Sequence, residues 1–249
     1  MTPPTIRATP CPSPATKPRV ISRVLAIGLI AGLVAGLAVA ALQQVTTTPL
    51  ILAAEVYESA QHAHAPAHAE PASEGWKPAE GAQRIGATSV ADVATAAGYA
   101  LILLALMLVA GDAIEPRRAL AWAACAFAAT GLATALGLAP QLPGAAETDL
   151  FARQLWWGAT AAATGAGLFA LLRRDEIVAK ILGAALLAGP HIFGAPQPAA
   201  PESAVPAELA ARFAASSLVV QAIMWALAGA LVGVLWRQFA ARDALKAMK

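Results

Sequence analysis

The chain alternates between long apolar runs and short polar intervals, and the apolar runs are too long to be strands. "VLAIGLIAGLVAGLAVAAL" carries no charge from Val24 to Leu42, and about 20 apolar residues is what a helix needs to cross a hydrocarbon core of about 30 Å. Five further runs follow, at Thr88 to Ala110, Ala119 to Leu138, Gln154 to Leu172, Ile177 to Phe193 and Phe213 to Trp236. The pattern predicts an all-α fold, a polytopic integral membrane bundle of about six transmembrane helices. A cleaved signal peptide competes for the first run, because the small residues Ala38 to Ala40 resemble a cleavage site. That run, however, exceeds the roughly 7 to 15 residues of a signal core. The fifth run holds Lys180 one turn from its start. It spans only if that side chain snorkels to the headgroups, and a re-entrant helix is the alternative.

Composition points the same way. Hydrophobic residues make up 58% of the chain and charged ones 13%, where a soluble domain carries about 25% charged; the mean hydropathy is +0.62. Residues 1–18 hold six prolines with serine and threonine and predict a disordered tail. The membrane domain is expected over 19–237, with a His-rich outer loop at 43–87 and a cytoplasmic C-tail at 238–249. Cys11 and Cys125 form no CxxC pair, there is no P-loop, and the histidines have no G-x-S-x-G companion. No catalytic activity, no permanently bound cofactor and no nucleic-acid partner are expected.

Loop charges orient the bundle. Thirteen Lys and Arg fall in the N-tail, the second and fourth loops and the C-tail, against four (Lys77, Arg84, Arg153, Arg212) in the others. Both termini are therefore expected in the cytoplasm. The opposite face is acidic. Two of its loops look alike, "PQLPGAAETDLFAR" from Pro140 and "PQPAAPESAVPAELAAR" from Pro196, which suggests three repeated helical hairpins around a common axis. Convergence of alanine-rich loops is the plainer explanation.

The first outer loop carries the chemistry. "EVYESAQHAHAPAHAE" runs from Glu55 to Glu70 and holds three of the four histidines. Pro49 suits the first position of a helix, on which Glu55, Glu58 and His62 would share a face. Imidazole and carboxylate together suit Co²⁺, Ni²⁺ or Zn²⁺, and His64 and His68 would gather ions on a flexible arm. A solvated Ala-Pro linker is the bland reading. His191, in "LLAGPHIFGAPQP", lies where Pro190 and Gly194 should free backbone carbonyls; an interfacial histidine satisfied by water is its alternative. Asp92 either lines a polar path or bonds locally. Gly28, Gly32, Gly36, Gly229 and Gly233 read as close-packing positions, and Trp156 and Trp157 as an aromatic belt.

"RVLAIGLIAGLVAGLAVAALQQVTTTPLILAAEVYE", "LPGAAETDLFARQLWW", "GPHIFGAPQP" and "SAVPAELAARFAASSL" resemble the probable cobalt transporter subunit family, CbtA, from about Arg19 to Arg237. The resemblance implies an inner-membrane subunit for cobalt uptake linked to cobalamin biosynthesis. It also implies a small one-span, His-bearing partner, CbtB. The matching positions are Gln43, Pro49, Glu55, Glu58, Gln141, Asp149, Arg153, His191, Gln197, Glu208 and Arg212. The family is described with about five spans, where hydropathy gives about six. Taken together, these features predict metal ligands at Glu55, Glu58, His62, His64, His68 and His191, and an ion path past Asp92, Gln43, Gln141, Asp149, Gln197 and Glu208. The substrate would be Co²⁺, with Ni²⁺ or Zn²⁺ as alternatives. The bilayer and a CbtB-like subunit would be its surroundings, with an oligomer left open. A non-transporting scaffold, its loop merely a linker, is the competing class.

Overall fold

A computed structural model describes residues 16–63, 79, 81–146, 148–199 and 203–248. Among them there is no strand. The helices are α1 (Thr16–Val45), α2 (Thr48–Ala63), α3 (Ala82–Val109), α4 (Pro116–Phe127), which runs on into a π-helical turn (Ala128–Ala133), α5 (Leu150–Arg173), α6 (Ile177–Phe193) and α7 (Ala207–Ala247). Local chemistry sets several of their ends. Pro116 opens α4 behind an extended Glu115. The Asp149 carboxylate caps α5 by accepting from the Ala152 amide at 2.7 Å. Gly194, at φ 80°, closes α6 in a conformation open to glycine.

Among the described residues, four helices are long and apolar enough to cross a membrane, within Val20–Val45, Ala82–Val109, Leu150–Arg173 and Ala207–Lys246. Of the other two expected spans, the third is the 12-residue α4 extended by its six-residue π turn, and the fifth is α6, 17 residues with the expected bounds. At 1.5 Å per residue α6 reaches about 25 Å, because Glu176 and Gly194 bound it. α7 continues unbroken to Ala247, through the stretch expected as the C-tail. The expected proline-rich tail lies outside the described residues up to position 15, and α1 already begins at Thr16.

Close packing couples helices in three pairs, α1 with α3, α7 with α4 and α5 with α6, each through glycine. Gly28, Gly32 and Gly36 bring α1 so near α3 that a Cβ on any of them would collide with Leu101, Ala97 or Val93. Gly229 and Gly233 do the same for α7 on α4, where a Cβ would sit 2.7 Å from the Ala123 Cβ and 2.5 Å from the Pro116 Cα. Gly167 and Gly183 face each other's carbonyls across α5 and α6, at 2.7 and 2.9 Å from an added Cβ. This pairing departs from three consecutive hairpins: α1 joins α3, but α4 joins α7, and α6 touches only α5 among the described helices.

The core lies among α1, α3, α4 and α7. Ile27, Leu103, Leu104, Met107, Trp225 and Val232 are buried there, and Tyr99 stacks on Trp225 with ring centroids 4.3 Å apart. One end of the bundle is basic. There Arg23 donates to the Trp236 carbonyl at 2.5 Å and lies 4.1 Å over its indole. At the opposite end α2 is pinned by Ala54 against Leu142 and Val205.

Candidate metal-handling sites

Glu55 sits on α2, as the spacing predicts, and it meets a partner from 29 residues away. Arg84, on the first turns of α3, grips both carboxylate oxygens, Nη1 donating to Oε2 at 3.0 Å and Nη2 to Oε1. The two side chains are 33% and 28% exposed, and the guanidinium holds the Glu55 carboxyl below its usual range despite partial burial. Glu58 is half-buried, and its Cβ lies 3.4 Å from where a Cβ on Gly144 would stand, so α2 leans on the second loop of this end. His62 lies in the last turn of α2. His64 and His68 lie outside the described residues. Among the described residues, no three His, Cys, Asp or Glu side chains come together as a metal group.

The expected ion-path residues are scattered. Asp92 is buried on α3, where its Oδ1 accepts from Gln43 Nε2 of α1 at 3.1 Å, and its Oδ2 has no partner among the described residues. The pair stands beside the Gly36 crossing. Gln141 accepts from Arg153, Asp149 is the cap of α5, Gln197 donates to the Ala195 carbonyl at 3.1 Å, and Glu208 is exposed in the first turn of α7. These four serve their own loops and helix ends.

His191 stays inside α6, because the helix continues past Pro190 as far as Phe193. Its ring meets the edge of Trp156 with centroids 6.1 Å apart. Trp156 therefore turns inward, while Trp157 keeps 41% of its surface exposed. His191 and Thr164 line a cavity of about 470 Å³ between the π turn, α5, α6 and α7.

Two groupings lie outside the sequence expectations. At the basic end the Asp112 carboxylate, 3% exposed, bridges α4 and α5. It accepts from Trp122 Nε1 at 2.9 Å, from Arg118, from Arg173 Nη1 at 2.6 Å and from the Ala113 amide at 2.9 Å. The Trp122 bond, then the two guanidiniums, hold this carboxyl far below the ordinary carboxylate range. At mid-depth Thr130 takes a bond from Trp225 Nε1 at 3.1 Å on its hydroxyl and one from Gln221 Nε2 at 3.4 Å on its carbonyl. Both bonds fall within the π turn, a backbone form that recurs at functional sites. The T-x-x-x-T spacing of Thr130/Thr134 and Thr160/Thr164 is a sequence signal that could have marked this region.

Fold and site together define a polytopic α-helical membrane protein with polar groups set between its spans. The family described as probable cobalt transporter subunit (CbtA) matches residues 21–237, and the chain belongs to that family. Its function is accordingly that of a subunit of a probable cobalt transporter, which implies at least one partner. No curated protein and no solved structure matches the chain.

Proposed function

We propose that the chain takes up a divalent transition-metal ion, cobalt first among them, across the bacterial inner membrane with both termini in the cytoplasm. Family membership over residues 21–237 is the observation that carries this reading. His62, His64 and His68 gather the ion from outside, Glu55 and Glu58 hold it near the membrane, and His191 receives it between the helices. Glu55 reaches the ion by giving up Arg84. A partly exposed ion pair of this kind is worth about 0.2–1 kcal/mol, so an arriving dication exchanges with the guanidinium at small cost. The membrane potential supplies about 4.6 kcal/mol per 100 mV for two charges. A small one-span, histidine-bearing subunit is the expected partner.

The test is uptake of ⁵⁷Co²⁺ by cells expressing the chain with its partner subunit, parent against the variant carrying alanine at His62, His64 and His68. Uptake should fall at low metal concentration and recover as the metal is raised. Uptake at the level of empty cells for the parent as well would refute transport. Competition by Ni²⁺ in reconstituted vesicles decides the metal. The scaffold reading draws on one observation, that no three ligands converge among the described residues. It requires purified chain to give no calorimetric heat with any transition ion.

A further inference from the structure

A groove of about 290 Å³ runs between α4 and α5 at the basic end. From α5 it is lined at Gly165, Leu168, Phe169 and Leu172, an i, i+3, i+4, i+7 stripe on one face of the helix, and α4 sets Trp122 and Cys125 opposite. At 1.5 Å per residue the stripe is about 10 Å long. Phe169 is 36% and Leu172 66% exposed, on a helix long and apolar enough to span, so the groove opens sideways towards hydrocarbon. Glycine inside a helix is costly and elsewhere in this bundle it admits a neighbouring helix, as Gly167 admits Gly183. Gly165 admits none: a Cβ there would meet no atom of the described residues within 4 Å.

Two guanidiniums stand at one end of the groove. Arg118 lies in the first turn of α4 and Arg173 is the last residue of α5, and both bond the buried Asp112 carboxylate, so they share one level, where the span ends. Each has five N–H donors, gives one to Asp112 among the described residues and stays exposed. The charges lining the groove, two guanidiniums against one carboxylate, leave it at +1. Arg174 adds a further cation 5.9 Å over the Phe169 ring; Asp175 and Glu176 follow it in the connection to α6 and do not line the groove.

We propose that this groove seats one anionic phospholipid, its phosphate on the remaining N–H groups of Arg118 and Arg173 and one acyl chain along the α5 stripe as far as Gly165. Basic recesses between spans on the cytoplasmic side suit such headgroups. The chain itself gains little, because lipid tails are as apolar as the groove. Selectivity therefore comes from charge, and one net positive charge at the membrane surface favours an anionic over a zwitterionic headgroup about fivefold. The seated chain fills the space between α4 and α5, which otherwise touch sparsely. The inference neither uses nor depends on the uptake reading.

Native mass spectrometry of the full chain in a nonionic detergent tests it, with phosphatidylglycerol or phosphatidylcholine of identical acyl chains added. One phosphatidylglycerol should stay bound, about fivefold in preference to phosphatidylcholine, and Arg118→Gln and Arg173→Gln should each erase most of that preference. Gly165→Leu puts a side chain into the empty end of the groove, where its Cβ meets no protein atom, and should retain severalfold less of the lipid. Melting curves in the same detergent supply a second reading. Phosphatidylglycerol should raise the melting temperature of the parent more than phosphatidylcholine does and leave that of Gly165→Leu unmoved. Equal retention of the two lipids overturns the proposal. Loss in the arginine variants with Gly165→Leu unaffected leaves only a headgroup on the surface and overturns the seat in the groove. A melting shift from inorganic phosphate equal to that from phosphatidylglycerol would make this an ion site and overturn it as well.

Discussion

Replacing Asp112 by alanine removes one acceptor from four donors and cuts the link between α4 and α5 at the basic end. The magnitude follows from the donors one by one. The Trp122 N–H, 2.9 Å from the carboxylate, makes a bond to a charged acceptor worth about 1.5–3 kcal/mol. Arg118 and Arg173 are 54% and 39% exposed. They rehydrate when the carboxylate goes, so each contributes about 0–1 kcal/mol. The Ala113 amide adds about 1 kcal/mol. A loss of about 3–5 kcal/mol results, within the range for breaking a buried pair, and it lowers the melting temperature by roughly 6 to 20 °C in a chain of this size. Thermal unfolding in detergent, followed by tryptophan fluorescence, measures it. Asp112→Asn, which keeps an acceptor for Trp122, should lie between alanine and parent. Titration adds a sign. The folded carboxyl titrates below its unfolded value, so the contribution is fully present above about pH 4 and is lost only as pH falls through the depressed folded value. A shift under about 2 °C for Asp112→Ala would show that the buried bridge carries no stability.

Three other changes are informative. Gly32→Leu forces a branched side chain into the Ala97 backbone and should cost about 1–3 kcal/mol or more, read as lost thermal stability or as failure to accumulate in the membrane. Ala97→Gly on the same chain should restore part of it. Arg84→Gln frees the Glu55 carboxylate from its bidentate partner, so Co²⁺ binding to the purified chain should tighten about two- to fivefold, the equivalent of about 0.4–1 kcal/mol; unchanged binding in calorimetry would remove Glu55 from the ligand set. Gly167→Val places methyl groups against Leu187 and the Gly183 carbonyl and should loosen α6 alone, seen as faster proteolysis and hydrogen exchange within 177–193 while 96–107 stays protected.

Much of the architecture was readable from small residues. Gly28, Gly32 and Gly36 announce a helix that packs closely, and they meet α3 through Leu101, Ala97 and Val93. Pro49 and the acidic positions after it announce α2. Which helix a glycine stripe meets was not readable, because such a stripe advertises close approach and carries no address. The repeated loops therefore suggested sequential hairpins, where α4 packs on α7 instead. Arg84 counted only as a loop charge, although it closes on Glu55. Asp112, five residues before Arg117, owes its burial to Trp122 on the next helix and Arg173 two helices on. Proximity of this kind is tertiary and leaves no local pattern. His191 stood out by type, whereas Thr160 and Thr164 merged into an alanine-rich helix whose polarity is small.

The lone attachment of α6 has a mechanical meaning. It crosses α5 at Gly167 and Gly183 and touches no other described helix, so it can rock about that crossing as a rigid rod without disturbing the packing of α1, α3, α4 and α7. At the pivot Leu187 seats against Gly167 and Leu171 against Gly183, so each glycine is a notch for a leucine of the other helix. His191, two turns from the pivot, would sweep several ångströms for a tilt of only about 20 degrees.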